Sequence, residues 1–445
     1  MIVTRFRFAM PGIVSYLFLL FIWALSTTAW AATDFAKLDQ EYQALVLNAS
    51  TELKTKVREA PSNFSGLLAS LHAAQASNSP LVLVELLVSN ENLLRENIDN
   101  REIITIFNYL LDAQLYAIAE KIFKIASLQG DAYTLSRLNY HLALYFYALG
   151  DYSKAQNTLT QIEVRNALTE NESDYATLLF GIILQYQKQH RVAVKHYQSI
   201  AAKSPYFNHA QLNIAVAYIR QGWWTDAQKA INNAINNKES PANEDLLNRL
   251  YLVLGYNQLQ HEFFRDARES FRHLTVDSRY ADRALLGIGL CALNQGDYVG
   301  AINAFNILKS KTETNISVTE AHLLYAYAHE QLGEGALASA QYEAAIAYFN
   351  QRMLQLSKDG SGTFKEEDTN AHLIAIIDTR DVLLKNLAAQ VKSNKFKSKL
   401  SQLSHDYTSL KNWAINQRKQ KTLDILTSYL SQAQFGQAKL FDTLQ

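Results

Sequence analysis

A short pattern recurs along the middle of this chain at nearly constant intervals. Each copy has a small residue within an apolar stretch, then a turn that often contains glycine. An aromatic residue follows the turn, and an alanine lies about five positions past the turn glycine. Six copies align with offsets of 38, 34, 40, 34 and 37 positions, and a weaker copy precedes them. Units of this length stack on their neighbours to bury their apolar faces, so the chain is predicted to form an array.

Each position of the pattern has a physical reason. A small residue lets two helices approach closely, and the glycines in this role are Gly181, Gly255 and Gly289. A Gly-Asp pair, as in Gly150-Asp151, lets the chain reverse between antiparallel helices because glycine tolerates positive φ. The aromatic residue after the turn, for example Trp224, is expected to fill the angle between the two helices. The pattern therefore predicts helix pairs joined by tight turns.

This combination resembles the tetratricopeptide repeat, which has about 34 residues per helix pair. The resemblance covers roughly residues 100–351, with six good copies and one degenerate copy. It implies an all-α, right-handed α-solenoid in which the first helix of each pair lines a concave, ligand-binding face. With only 5 Pro and 16 Gly, the chain is also poor in the residues that sheet turns require, so a large β-domain is disfavoured.

The predicted domain organisation has five parts. A helical segment before the array and amphipathic helices after it are expected to cap the ends, because a terminal repeat exposes an apolar face. A Gly- and Ser-containing stretch after the array reads as a linker. The predicted parts are a signal peptide at 1–31, an N-terminal helical cap at 32–99, about seven repeats at 100–356, a linker at 357–370 and C-terminal amphipathic helices at 371–445.

The N-terminus has the three parts of an export signal in order. Arg5 and Arg7 precede an uncharged apolar run at 13–25, and Ala29-Trp30-Ala31 forms a small-x-small cleavage pattern. A spanning helix needs roughly 20 apolar residues, and this run is shorter. We therefore expect cleavage near Ala31 and a periplasmic protein. Anchoring in the inner membrane by the uncleaved segment is the lesser alternative.

The resemblance also implies which side chains face the concave surface. On the first helices these are Arg137, Tyr140, Leu144, Tyr147, Tyr175, Leu178, Ile182, His209, Leu212, Val216, Arg249, Leu252, Tyr256, Arg283, Leu286, Leu290, Leu323 and Tyr327. This face is expected to be largely aliphatic and aromatic, with a few arginines. Such a surface suits an amphipathic helix, which could come from a partner protein or from this chain's own C-terminus.

The C-terminal helices carry a local excess of positive charge. Between Asp381 and Lys421 the net charge is +7, and four lysines cluster at Lys392, Lys395, Lys397 and Lys399. These lysines could simply be solvated, or could contact an anionic partner such as a lipid surface or an acidic protein. The whole chain has 42 basic and 42 acidic residues, which argues against nucleic acid as a partner.

Sequence motifs for catalysis, metal binding or cofactor binding are weak. Gly287 and Gly289 lie within a repeat helix rather than a dinucleotide-binding turn, and His190 and His196 lack metal-ligand neighbours. The single Cys291 lies in an apolar helix and is expected to be a small buried hydrophobe. We therefore predict no catalytic residue, metal or cofactor.

The predicted function is a periplasmic scaffold or adaptor that mediates protein–protein interaction in a cell-envelope complex. The alternative is a peptidoglycan-cleaving enzyme of the superhelical lytic type, or a regulator of such an enzyme. Its catalytic acid would come from a short set of C-terminal carboxylates, namely Glu366, Glu367, Asp368, Asp378, Asp381 and Asp406.

Overall fold

The computed structural model describes residues 28–53, 61–77, 80–312, 315–359, 363–364, 371–391 and 393–444. Most of the predicted signal peptide, much of the predicted linker and Lys392 lie outside these residues. Within the described residues the chain forms twenty α-helices, one short 3-10 helix and no strand, which confirms the all-α prediction. The handedness of the array stays a prediction.

The helices follow one another with short connections. The first seven are α1 (Thr28–Leu53), α2 (Phe64–Ala76), α3 (Pro80–Ser89), α4 (Glu91–Glu96), α5 (Arg101–Asp112), α6 (Tyr116–Gln129) and α7 (Ala132–Ala148). The next six are α8 (Tyr152–Thr160), α9 (Glu170–Tyr186), α10 (His190–Gln198), α11 (Phe207–Arg220), α12 (Trp224–Ile235) and α13 (Glu244–Gln260). The last seven are α14 (Phe264–Arg272), α15 (Ala281–Asn294), α16 (Tyr298–Lys309), α17 (Ile316–Leu332), α18 (Gly335–Asp359), α19 (Ala371–Gln390) and α20 (Asn394–Leu444).

The chain divides into two compact units. Unit 1 comprises Met1–Asp151 with Thr369–Asn412, and unit 2 comprises Tyr152–Asp368 with Trp413–Gln445. The three divisions fall inside the predicted array, inside the predicted linker and inside the predicted C-terminal segment. Helix α18 extends to Asp359, so the first residues of the predicted linker are helical.

Seven turns share one backbone geometry. Each contains a residue with φ between 62° and 87°, and the next N–H donates to the carbonyl five residues earlier at 2.8–3.1 Å. This is the Schellman arrangement that ends a helix. The left-handed residues are Gln114, Gly150, Lys188, Gly222, Glu262, Gly296 and Gly333. Their separations of 36, 38, 34, 40, 34 and 37 positions reproduce the repeat spacing, so the turns define seven helix pairs from α5/α6 to α17/α18.

Close helix packing within unit 2 explains why a small residue recurs at the same place in the repeats. A Cβ added to Gly255 would lie 2.6 Å from the Phe271 ring, well inside van der Waals contact. Gly181 meets the Tyr197 ring and Gly289 meets the Phe305 ring in the same way. An inward glycine on the first helix therefore lies directly against an aromatic ring of the second helix, which is the close approach that the small residues predict.

Polar side chains tie successive pairs together at the loops between repeats of unit 2. Asn208 donates to the Ser240 carbonyl at 2.6 Å. Asn248 exchanges two hydrogen bonds of 3.1 Å with Thr275. Asp282 accepts from Asn315 at 2.6 Å. We call this side of unit 2, which carries Asn208, Asn248 and Asp282, the loop edge.

A buried arginine organises unit 1. Arg380 of α19 is fully buried and forms an ion pair with Asp39 of α1 at 2.7 Å. Its guanidinium also donates to the Tyr407 hydroxyl at 2.9 Å. The same group lies 5.0 Å from the Phe35 ring centroid and 4.7 Å from that of Tyr42. Residues from both ends of the sequence therefore share one core in unit 1.

The end of the chain covers the last helix pair of unit 2. Glu330 of α17 accepts from Lys439 and from Tyr342, each at 2.7 Å. The backbone at Gly436 rests on the Tyr342 ring, where an added Cβ would lie 2.5 Å away. The C-terminal residues of α20 therefore cover part of the surface of this helix pair.

Candidate functional site

The predicted concave residues all lie on first helices. In unit 1, α7 carries Arg137, Tyr140, Leu144 and Tyr147. In unit 2, the remaining residues lie on five helices: Tyr175, Leu178 and Ile182 on α9; His209, Leu212 and Val216 on α11; Arg249, Leu252 and Tyr256 on α13; Arg283, Leu286 and Leu290 on α15; Leu323 and Tyr327 on α17. Each unit therefore has its own share of the predicted site.

Burial separates these residues into two groups. Tyr140, Leu178, Leu212, Leu252, Leu286, Leu290 and Leu323 are no more than 6% exposed. The group that retains accessible surface consists of Arg137, Leu144, Tyr147, Tyr175, Ile182, His209, Val216, Arg249, Tyr256, Arg283 and Tyr327. Most of the leucines are buried between neighbouring helices. The accessible part of the predicted face is therefore more polar and more basic than the sequence suggests.

Two tyrosines of unit 2 have their own packing roles. The Tyr256 hydroxyl donates to the Arg283 carbonyl at 2.8 Å, and its ring meets Phe271 edge-on at 5.0 Å between centroids. Tyr175 lies against Tyr206 with ring centroids 5.1 Å apart. Burial, and then Tyr206, raises the pKa of Tyr175. These tyrosines therefore help to hold neighbouring repeats together, and both remain partly exposed.

The basic side chains give unit 2 a positive first-helix face. Burial, and then the nearby Arg249, lowers the pKa of His209 below its ordinary value. His209 is therefore mostly neutral near pH 7 and gains charge only in more acidic solution. Arg283 adds a second guanidinium on α15. We call His209, Arg249 and Arg283 the basic face; it suits an acidic segment better than a purely apolar helix.

Unit 1 has a polar hollow of about 250 Å³. It is lined by Gln75, Ile104, Thr105, Asn108, Tyr109, Asp112, Arg137 and His141. Burial raises the pKa of Asp112, which accepts a 3.4 Å hydrogen bond from Asn108. The sequence pointed only to Arg137, because α2 lies in a segment without the repeat pattern and α5 in its degenerate copy.

The described residues show little that would support chemistry. No group of three or more His, Cys, Asp or Glu among them could hold a metal ion. Burial raises the pKa of the Cys291 thiol to about 12, as expected of a buried hydrophobe. Of the helices that the structure describes, none has both the length and the apolar character needed to cross a membrane.

The carboxylates considered for an enzyme are engaged with neighbours or lie outside the described residues. Asp378 pairs with Lys411 at 2.5 Å, and Asp381 pairs with Lys385 at 2.5 Å. Burial opposes the charge on Asp381, but bonds from Lys385 and Ser404 hold its pKa below the ordinary value. Asp406 accepts from Gln402 at 3.0 Å. A general acid needs a raised pKa, so Asp381 does not suit that role.

The described members of the lysine cluster are exposed at the start of α20. Lys395, Lys397 and Lys399 lie in its first two turns, and the first turn carries no acidic residue. These ammonium groups add to the positive end of the helix macrodipole. They therefore form a locally basic surface of unit 1.

These features define an α-helical repeat protein. Residues 252–315, which include α14 and α15, match the family model of the tetratricopeptide repeat. The chain therefore contains tetratricopeptide repeats, and the resemblance predicted from the sequence is confirmed. Tetratricopeptide repeats mediate protein–protein interaction, which makes the chain an interaction scaffold of a family that is generally non-enzymatic.

Solved repeat proteins show weaker similarity. A tetratricopeptide repeat protein from Parabacteroides merdae is 16% identical, with a TM-score of 0.39 over 61% of this chain and 99% of its own. The C-terminal part of a TPR repeat-containing protein from Cytophaga hutchinsonii is 15% identical, with a TM-score of 0.37 over 67% and 99%. Similarities of this size support no conclusion about function. No curated protein sequence matches the chain.

Proposed function

We propose that this chain is an exported periplasmic scaffold that holds a partner protein within a cell-envelope complex. Three features support the proposal: the signal-like N-terminus, the tandem repeats, and the accessible first-helix side chains of unit 2. The proposal assigns the chain no reaction of its own, no cofactor and no metal.

The basic face is the observation that carries this proposal. Arg249 lies on α13 and Arg283 on α15, which are the first helices of two successive pairs, and both side chains keep accessible surface. Arginine is enriched at protein interfaces because its planar guanidinium binds carboxylates with two hydrogen bonds. We therefore infer that the partner offers an acidic segment to unit 2.

Affinity capture from envelope extract, followed by mass spectrometry, tests this proposal. Arg249→Glu with Arg283→Glu reverses two charges on the basic face and is expected to abolish capture of the partner. The matched control is Arg272→Glu, because Arg272 has a 58% exposed side chain on the second helix α14. Identical partner sets from the double variant and the wild type would contradict the proposal.

The pH dependence of partner capture is a second test of the basic face. Because the pKa of His209 is lowered, its charge appears only below the usual histidine range, so an acidic partner should bind more tightly as the pH falls. His209→Ala should remove that increase while leaving capture at pH 7 nearly unchanged. A variant with the wild-type pH profile would exclude His209 from the contact.

A further inference from the structure

The turns of unit 2 carry an unusual concentration of exposed apolar side chains. Each member lies within four positions of a left-handed turn residue, and Phe263 is 58% exposed. The members are Tyr186, Val192, Trp223, Phe263, Val299, Leu332 and Leu337. We call this side of unit 2 the turn edge. Single exposed apolar residues need no explanation, but a row of them marks an interaction surface.

Aromatic contacts join several neighbouring turns along the turn edge. Tyr152 stacks on Tyr186 with ring centroids 4.4 Å apart. The Arg191 guanidinium lies 5.4 Å from the Trp223 ring centroid. Trp224 and His261 approach to 4.1 Å between centroids. Aromatic contacts therefore join successive turns from Tyr152 to His261.

Local helix chemistry does not account for two of these residues. Trp223 and Phe263 are the N-cap residues of α12 and α14, and neither makes a side-chain cap hydrogen bond. Asp297 occupies the same position before α16 and does cap its helix. Aspartate is a far better N-cap than an aromatic residue. A local conflict of this kind is expected where a residue serves another function.

Charge along the turn edge changes sign. Counted from two residues before to seven residues after each left-handed residue, the net charges are +3 at Lys188 and +1 at Gly222. They are −1 at each of Glu262, Gly296 and Gly333. A surface that is basic at one end and acidic at the other is complementary to its own copy in the reversed direction.

We propose that the turn edge is a self-association surface, on which a second copy of this chain docks in the reversed direction. A two-fold axis would place the turn at Lys188 of one copy opposite the turn at Gly333 of the other. The central turn would then bring the two Phe263 rings together. Such an interface uses one patch on both copies, has closed symmetry and buries aromatic anchors at its centre. It is separate from the basic face proposed for the partner.

Sedimentation equilibrium of the purified protein over a range of concentrations tests the proposal. The wild type is expected to dimerise reversibly. Trp223→Asp with Phe263→Asp should weaken the dimer at least about tenfold, as loss of a central aromatic anchor does. Both substitutions place an aspartate at an N-cap position, as Asp297 does before α16, so α12 and α14 should remain helical, which circular dichroism would verify. Val276→Asp is the matched control, because Val276 is 88% exposed near the loop edge.

Charge reversal tests the direction of docking. Lys188→Glu with Arg191→Glu makes both ends acidic and should weaken the dimer, and so should Glu334→Lys alone. Mixing the two variants should restore association, because each basic end then meets an acidic end. A wild type that stays monomeric, an equal loss in Val276→Asp, or mixed variants that fail to associate would each overturn the proposal.

Discussion

Arg380 in unit 1 and Glu320 in unit 2 are both almost fully buried, and the two side chains are stabilised in opposite ways. Arg380 in unit 1 has a carboxylate, a hydroxyl and two aromatic rings around its guanidinium, so it is buried as a cation. Glu320 in unit 2 is 1% exposed, and one of its carboxyl oxygens has no hydrogen-bond partner. Burial raises the pKa of Glu320 to about 8, although a hydrogen bond with Tyr429 opposes this. A buried charge needs a counter-charge, and without one the group becomes neutral.

This difference predicts that the packing of α19 in unit 1 and the packing of the C-terminal residues of α20 in unit 2 respond differently to pH. Arg380 keeps its charge at any ordinary pH, so the packing of α19 in unit 1 should not change as the solution becomes alkaline. Glu320 lies on α17 beside the C-terminal residues of α20, and its ionisation would place an uncompensated charge there. Unit 2 should therefore lose stability as the pH rises from 4.5 to about 8.

The largest effect is expected from removing the counter-charge of Arg380. Asp39→Asn would leave a buried guanidinium unpaired, at a cost of about 3–5 kcal/mol. Urea denaturation followed by circular dichroism measures this loss. The double variant Asp39→Asn with Arg380→Met should recover much of it, because no buried charge remains. A single variant as stable as the wild type would show that the ion pair contributes little.

An intermediate effect is expected from the ionisation of Glu320. Its folded pKa of about 8 exceeds the ordinary value of 4.5, so the folded state binds more protons than the unfolded state between these values. Stability is then complete below pH 4.5 and falls as pH rises to about 8, by up to roughly 1.4 kcal/mol per pH unit. Denaturation across this range should show the slope in the wild type and lose it in Glu320→Gln. The exposed Glu343→Gln is the control that should keep it.

The smallest effect is expected from the hydroxyl of Tyr429. Tyr429→Phe removes the hydrogen bond that lowers the pKa of Glu320, so the stability loss should extend to a pH above about 8. The aromatic contact with Phe349, at 6.0 Å between centroids, is retained. The same pH series measures the shift. An unchanged profile would mean that burial alone sets the ionisation of Glu320.

Local spacing explains why the repeats could be predicted. A helix pair is specified by residues within one repeat, such as Gly255 with Phe271 or the turn at Gly222, and seven neighbouring copies reinforce the pattern. The turns at Lys188 and Glu262 were harder to recognise, because non-glycine residues there adopt φ values of 63° and 65°. The shared Schellman hydrogen bonds show that they are the same turn.

The candidate sites depended on contacts that no local pattern contains. The sequence by itself placed the predicted concave residues on first helices, because helical periodicity and repeat position suffice for that. Only the packing of neighbouring helices decided that Leu286 is buried while Arg249 is accessible. Only the tertiary structure paired Asp39 with Arg380, which lie far apart in the chain, and left Glu320 without a cation. Periodicity is a property of a short stretch of chain, whereas burial and charge pairing depend on which distant residues come together.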